Sequence, residues 1–299
     1  MKSQTKRNGL IELYRFILAI NVIKSHGMLP YDGEYFGTGK LSVEFFFILS
    51  GYLLMRSIDK YSDKPLLLGT WKFLISKLKP LAIPLIIALP FQMLYEYFEA
   101  DGSFNMWGYL WYIRVMFEMF IIYYVIRRLL KNERIFVCVV GAVFIVASVL
   151  HVFPSFYSWG IIRGASTVSL GMLLSYVPKL QVKRTHLLWL ILIPIQAACA
   201  YMIVFDCNLL FEELLDLVLY PALIYISFLI PVHSPILSYL GSLSFGLYAF
   251  QCVPRPFREI GIMTNTWLIF ILIVALSVAE DLARRIYKHI KFKSNHNQI

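Results

Sequence analysis

Apolar stretches too long for a soluble core dominate this chain and leave it few ways to fold. They run near 9–29, 41–56, 73–98, 108–130, 134–151, 160–178, 186–205, 213–230, 237–254 and 264–287. About 20 apolar residues in a helix cross a ~30 Å hydrocarbon core. In hydrocarbon only a helix or a closed barrel satisfies its own backbone. Charged residues make up 15% of the chain, against about 25% in a soluble domain, which is too little to clothe a water-facing surface. The expectation is an all-α polytopic membrane protein. It is a single bundle of about ten transmembrane helices over 1–299, with no connection long enough to be a domain of its own.

Charge orients the bundle. Lys2, Lys6 and Arg7, then Arg56, Lys60, Lys64, Lys72, Lys77 and Lys79, fall at alternate ends of the segments. So do Arg127, Arg128, Lys131 and Arg134, then Lys179, Lys183 and Arg184, and finally Arg284, Arg285, Lys288, Lys291 and Lys293. The opposite ends hold little beyond Lys40, Arg163, Arg255 and Arg258. The positive-inside rule then places both termini in the cytoplasm, with the first helix retained as an anchor. The same partition accounts for the net charge of +10 without a nucleic-acid partner. Breakers mark outer turns at Pro30-Tyr31-Asp32-Gly33, at Asp101-Gly102-Ser103 and over 154–159. The Lys-rich stretch 59–80 reads as lying along the inner membrane surface before entering it. Cys138, Cys199, Cys207 and Cys252 sit in or beside apolar segments without a CxxC pair. They read as packing residues, with no disulfide framework and no metal site.

An ionisable residue inside a span is expensive, so each one is a candidate for function. The first segment carries Glu12, Arg15, Lys24 and His26. Arg15 and His26 are eleven residues apart, three turns plus ~20°, so they share a face about 16 Å apart along the axis. Glu12 lies one turn before Arg15, while Lys24 faces away and reaches toward the outer surface. A guanidinium at the inner mouth can bind phosphate bidentately, and an imidazole deeper in can take a proton from a hydroxyl. That layout suits an anionic donor that enters from inside and reacts within the membrane. The same spacing also fits a Glu–Arg pair that fixes packing beside an interface histidine.

On the second segment Glu44 and Gly51 share a face. Gly51 permits close helix approach, and Glu44 is placed to orient an imidazole on a neighbouring helix. Arg114 and Glu118 form an i,i+4 pair. Trp107 and Trp111 read as an interfacial belt or as an acceptor rim. Glu280, Asp281, Arg284 and Arg285 read as an acid–base anchor at the inner end of the last segment.

These residues resemble acyltransferase family 3, the integral membrane O-acyltransferases. The resemblance rests first on Glu12-Leu13-Tyr14-Arg15 with His26 eleven residues after the arginine. It continues in Ser42-Val43-Glu44-Phe45-Phe46-Phe47-Ile48-Leu49-Ser50-Gly51-Tyr52. Leu110-Trp111-Tyr112-Ile113, Leu240 through Tyr248 and Glu280 extend it along the chain. It implies transfer of an acyl group, usually acetyl, from a cytoplasmic acyl-CoA donor to a hydroxyl of a cell-surface glycan or its lipid-linked precursor. It also implies a multi-pass place in the cell membrane. His26 maps to the catalytic histidine and Arg15 to the arginine paired with it; Glu44 or Glu12 is placed to set the imidazole tautomer. Arg15, Lys72, Lys77 and Lys79 are the expected contacts to the CoA phosphates, the lysines standing where the family often has Arg-x-x-Arg. Gln251 stands where the family often has a histidine. A rival expectation is an exporter or flippase of a glycan precursor with no chemistry. Such a fold often carries inverted repeats, and the sequence shows none.

Overall fold

A computed structural model describes residues 7–29, 39–99, 108–153, 160–180, 185–204 and 213–296. The expected outer turns at 30–33, 101–103 and 154–159, together with Trp107, lie outside the described residues. Among those described, the regular structure is helical throughout, with twelve α-helices. In chain order they are α1 (Gly9–Ser25), α2 (Gly39–Met55), α3 (Leu66–Leu78), α4 (Ala82–Glu99), α5 (Trp111–Leu129) and α6 (Glu133–Val152). They continue with α7 (Gly160–Leu174), α8 (Trp189–Val204), α9 (Tyr220–Leu229), α10 (Pro235–Phe250), α11 (Arg255–Glu259) and α12 (Thr266–His296).

Each of the ten apolar segments carries helix, with corrections to several bounds. The segment 73–98 is two helices broken at 79–81, and helix begins at Leu66 within the stretch read as a surface connection. Pro80 lacks the amide a continuous helix would need, and its ring clashes with the preceding turn. The first helix stops at Ser25 rather than 29. The segment 237–254 stops at Phe250 and re-forms as the short α11, and the last helix runs on to His296. Among the described residues, two helical stretches, Glu133–Val152 and Thr266–Tyr287, are long and apolar enough by themselves to cross a membrane. A third qualifies if α3 and α4 count as one broken span.

The chain forms two compact units. One holds α1, α4, α10, α11 and α12, and the other holds α2, α3 and α5 to α9. In the first, α1 packs on α10, and α10 also packs on α4 and α12. Asn8 caps α1, its side chain accepting from Leu10 N at 3.0 Å and Ile11 N at 3.3 Å. The far end closes in a Schellman motif. Met28 N donates to Ile23 O at 3.3 Å, Gly27 N donates to Lys24 O at 2.8 Å, and Gly27 takes φ +66°. Ile23 and Met28, the two positions whose apolar side chains usually accompany such a cap, are both buried. Ser234 caps α10, accepting from Leu237 N at 3.3 Å, with Pro235 at the first helical position.

In the second unit α7 is the central helix, packed on α2, α5 and α6. Its contact with α2 is backbone to backbone: a Cβ on Gly51 would strike the Val168 carbonyl, and one on Gly171 would strike the Ile48 carbonyl. Close approach at Gly51 was legible in the sequence, and Gly171 is its counterpart. Gly171→Ala forces apart two main chains that have no flexible side chain to yield, a cost of about 1–3 kcal/mol. Thermal unfolding of detergent-purified protein should show a midpoint lower by about 2–10 °C. Gly141→Ala on α6, where a Cβ meets nothing within 4 Å, should hold the midpoint or raise it.

Candidate functional site

The cap that ends α1 also positions His26. It is the C-cap residue, at φ −93° and ψ 12°, half-buried, between the last helical turn and Gly27. Two arginines of α11 lie near this corner. Arg255, buried, is an electrostatic neighbour of His26, and its guanidinium lies 4.9 Å over the ring of Tyr95 on α4. Arg258 Nη1 donates to the Gly27 carbonyl at 2.7 Å. Phe91 and Phe257 pack ring to ring at 6.1 Å and hold α4 against α11. The imidazole thus sits on a fixed main-chain corner within electrostatic range of a guanidinium. Such a guanidinium can stabilise an oxyanion as it develops.

At the other end of α1, Glu12 is buried and accepts from Arg15 Nη1 at 3.0 Å, with Arg7 Nη1 at 3.8 Å. A Cβ on Gly241 of α10 would strike the Glu12 carboxylate, so the absence of a side chain at 241 makes room for the acid. The Glu12–Arg15 pair expected from the sequence forms, while His26 lies just past the last residue of α1.

The second unit holds Glu44 and the lysines. Glu44, with no exposed surface, forms an ion pair with Arg163 Nε at 2.8 Å. Arg163 Nε also donates to His151 Nε2 at 3.4 Å, and His151 Nδ1 meets Glu213 Oε1 at 2.9 Å. These two partners fix the ring with its proton on Nδ1. Asp216, also buried, is an electrostatic neighbour of Glu44. Asp216 belongs to a π-turn (Leu215–Leu219) ahead of α9, a bulge often found at functional positions. The carboxylate expected to orient an imidazole therefore has a partner inside its own unit, and that partner is Arg163.

Lys77 Nζ donates to Ser57 Oγ at 2.6 Å and sits over the rings of Phe73 at 5.2 Å and Phe120 at 5.6 Å. Lys72 and Lys79 are exposed. Arg128 ties down the preceding turn, donating to Tyr61 O at 3.0 Å and Lys64 O at 2.7 Å. Arg114 pairs with Glu118 at 3.4 Å, Arg285 with Asp281 at 2.6 Å, and Arg284 with Glu280. These pairs follow the spacing of their residues.

Sequence reasoning passed over Arg163, Asp216, His151 and Arg255. The first and last were counted as charges at outer segment ends, yet each is an ionisable residue in or against an apolar helix, which is signal enough.

A family model described as an acyltransferase domain matches residues 8–279. No curated protein and no solved structure gives a match. The matched stretch takes in α1 with Arg15 and His26, α2 with Glu44, and α11 with both of its arginines. The chain belongs to acyltransferase family 3 and is a membrane acyltransferase.

Proposed function

We propose that this protein transfers an acyl group, an acetyl group first of all, from acyl-CoA supplied on the cytoplasmic side. The acceptor is a hydroxyl of a cell-surface glycan or its lipid-linked precursor. The setting is the cell membrane, crossed ten times with both termini inside. The observation that carries the reading is His26 held at the end of α1, on a corner that Arg258 grips through the Gly27 carbonyl, with Arg255 within electrostatic range. The apolar segments and the distribution of lysines and arginines support the topology.

The reaction asks little more of the protein than this corner. The acceptor oxygen attacks the thioester carbonyl while His26 takes the hydroxyl proton. Charge that collects on the carbonyl oxygen is met by Arg255. The carbon–sulfur bond breaks, the acyl carbon stays on the acceptor oxygen, and the imidazolium returns its proton to the CoA thiolate. An acyl-imidazole on His26 is the two-step form of the same chemistry. Arg15, in the unit that holds His26, is the proposed partner of the CoA phosphates, binding as a fork. Water-poor surroundings limit hydrolysis of the thioester.

The test is purified protein in nanodiscs given radiolabelled acetyl-CoA and isolated envelope glycan. Label should appear on glycan hydroxyls as free CoA is released in equal amount. Glycan moved across a vesicle wall with no acyl-CoA consumed would overturn the proposal in favour of an exporter.

A further inference from the structure

Gln251 is the C-cap of α10 and has no exposed surface. Among the described residues, neither its amide nitrogen nor its amide oxygen has a hydrogen-bond partner. Buried polar groups in folded proteins are satisfied almost without exception, because leaving one unmade is costly. A fully buried primary amide with both ends open is a place where the fold expects a partner it does not itself supply.

Its position follows from the helices. α1 and α10 run parallel: Glu12 meets Gly241 near their starts, and Gly27 meets Arg258 just past their ends. Counted from the first contact at ~1.5 Å per residue, Gln251 lies level with Val22, about one turn short of His26. A second open amide lies on α4. Gln92 is buried, its Nε2 donates to Glu96 Oε1 at 2.7 Å, and its Oε1 has no partner among the described residues. Glu96 is an electrostatic neighbour of Cys252, the residue after Gln251, and Tyr95 lies under Arg255. Gly108 seats against this pair, since a Cβ there would strike both Glu96 Oε1 and Gln92 Nε2.

One end of the unit thus brings together His26, Arg255 and two glutamines that offer a donor and two acceptors. An amide does not titrate near neutral pH, so neither glutamine is an acid or a base. A neutral group that donates and accepts at once matches a hydroxyl, which does the same. Three such positions match a ligand with several hydroxyls.

We propose that Gln251, with Gln92 and Glu96, forms the subsite that holds a polyhydroxylated sugar ring beside His26. The identification of that sugar as the acceptor rests on the acyl-transfer reading; the binding itself does not.

The experiment measures binding of neutral methyl glycosides of glucose, galactose and N-acetylglucosamine to the full-length protein in nanodiscs. Gln251→Met keeps the length of the side chain and removes its hydrogen bonds, and should weaken glycoside binding at least about tenfold, the factor that 1.4 kcal/mol represents. Gln251→His, which keeps one donor and one acceptor, should retain most of the affinity. Gln92→Met should weaken binding in the same direction. Equal affinity of Gln251→Met and wild type would overturn the proposal. So would wild type that binds none of the glycosides, because water then completes the amide. Acetyl-CoA turnover measured on the same samples separates the two claims. Gln251-dependent binding without turnover leaves the subsite standing and removes acyl transfer. Turnover with Gln251-independent binding removes the subsite alone.

Discussion

Replacing His26 by Ala should cut acyl transfer by about 10²–10⁴-fold, the usual contribution of a positioned general base, while the protein stays folded. The second half follows from how α1 ends. The Schellman hydrogen bonds run from Met28 N to Ile23 O and from Gly27 N to Lys24 O, and Arg258 grips the Gly27 carbonyl. All three are made to main-chain oxygens, and none needs the imidazole. The loss should therefore fall on kcat, with the KM for acyl-CoA little changed, the pattern of an interaction made in the transition state. His26→Gln keeps polar bulk at the same place without an exchangeable base, and should fall nearly as far as Ala. Both are measured with labelled acetyl-CoA beside a thermal unfolding curve. Transfer within about threefold of wild type by either folded variant would take His26 out of the chemistry.

The sequence revealed the parts of this site that lie along one helix. Glu12, Arg15 and His26 are local in the chain, so helical periodicity alone puts them on one stripe, and the Glu12–Arg15 pair appears as that periodicity requires. The contacts that finish the site are not local. Gly27 and Arg258 lie 231 residues apart, and no period in the sequence reports which helices will become neighbours. Arg163 and Arg255 lie at segment ends as their place in the sequence implies, but their burial is not legible there. A count of positive charges sorts residues by segment end and treats every arginine as facing water or headgroups, whereas both of these side chains are buried. Two helix ends carry local chemistry that the reading by apolar length overrides. Gly27, which accepts the positive φ of a helix C-terminus, and Pro80, which cannot continue one, were both in plain view. The reach of a membrane-length apolar run outweighed them, so 9–29 and 73–98 were each drawn as continuous.

Arg163→Met should be the most destabilising single change in the second unit, about 3–5 kcal/mol, or a melting midpoint lower by about 6–20 °C. Methionine fills most of the space, so packing is not the main loss. What the substitution removes is the cation at 2.8 Å from Glu44, a carboxylate with no exposed surface and with Asp216 as its other close polar neighbour. Two acids facing each other without the guanidinium between charges of like sign must either repel or bind an extra proton, and each course costs stability. His151 loses its donor at Nε2 at the same time, though Glu213 still holds Nδ1. If the penalty is the uncompensated charge, removing that charge should relieve it. Glu44→Gln in the Arg163→Met background should therefore recover at least about half of the lost stability, although Glu44→Gln alone is destabilising. The two substitutions are in direct contact, so their effects should couple by about 1–3 kcal/mol in a double-mutant cycle. Thermal unfolding of the three variants in one detergent provides the cycle. A midpoint for Arg163→Met within about 2 °C of wild type would mean that the pair contributes little. A double variant less stable than Arg163→Met would mean that the cost lies in packing around the arginine instead of in the charge it leaves behind.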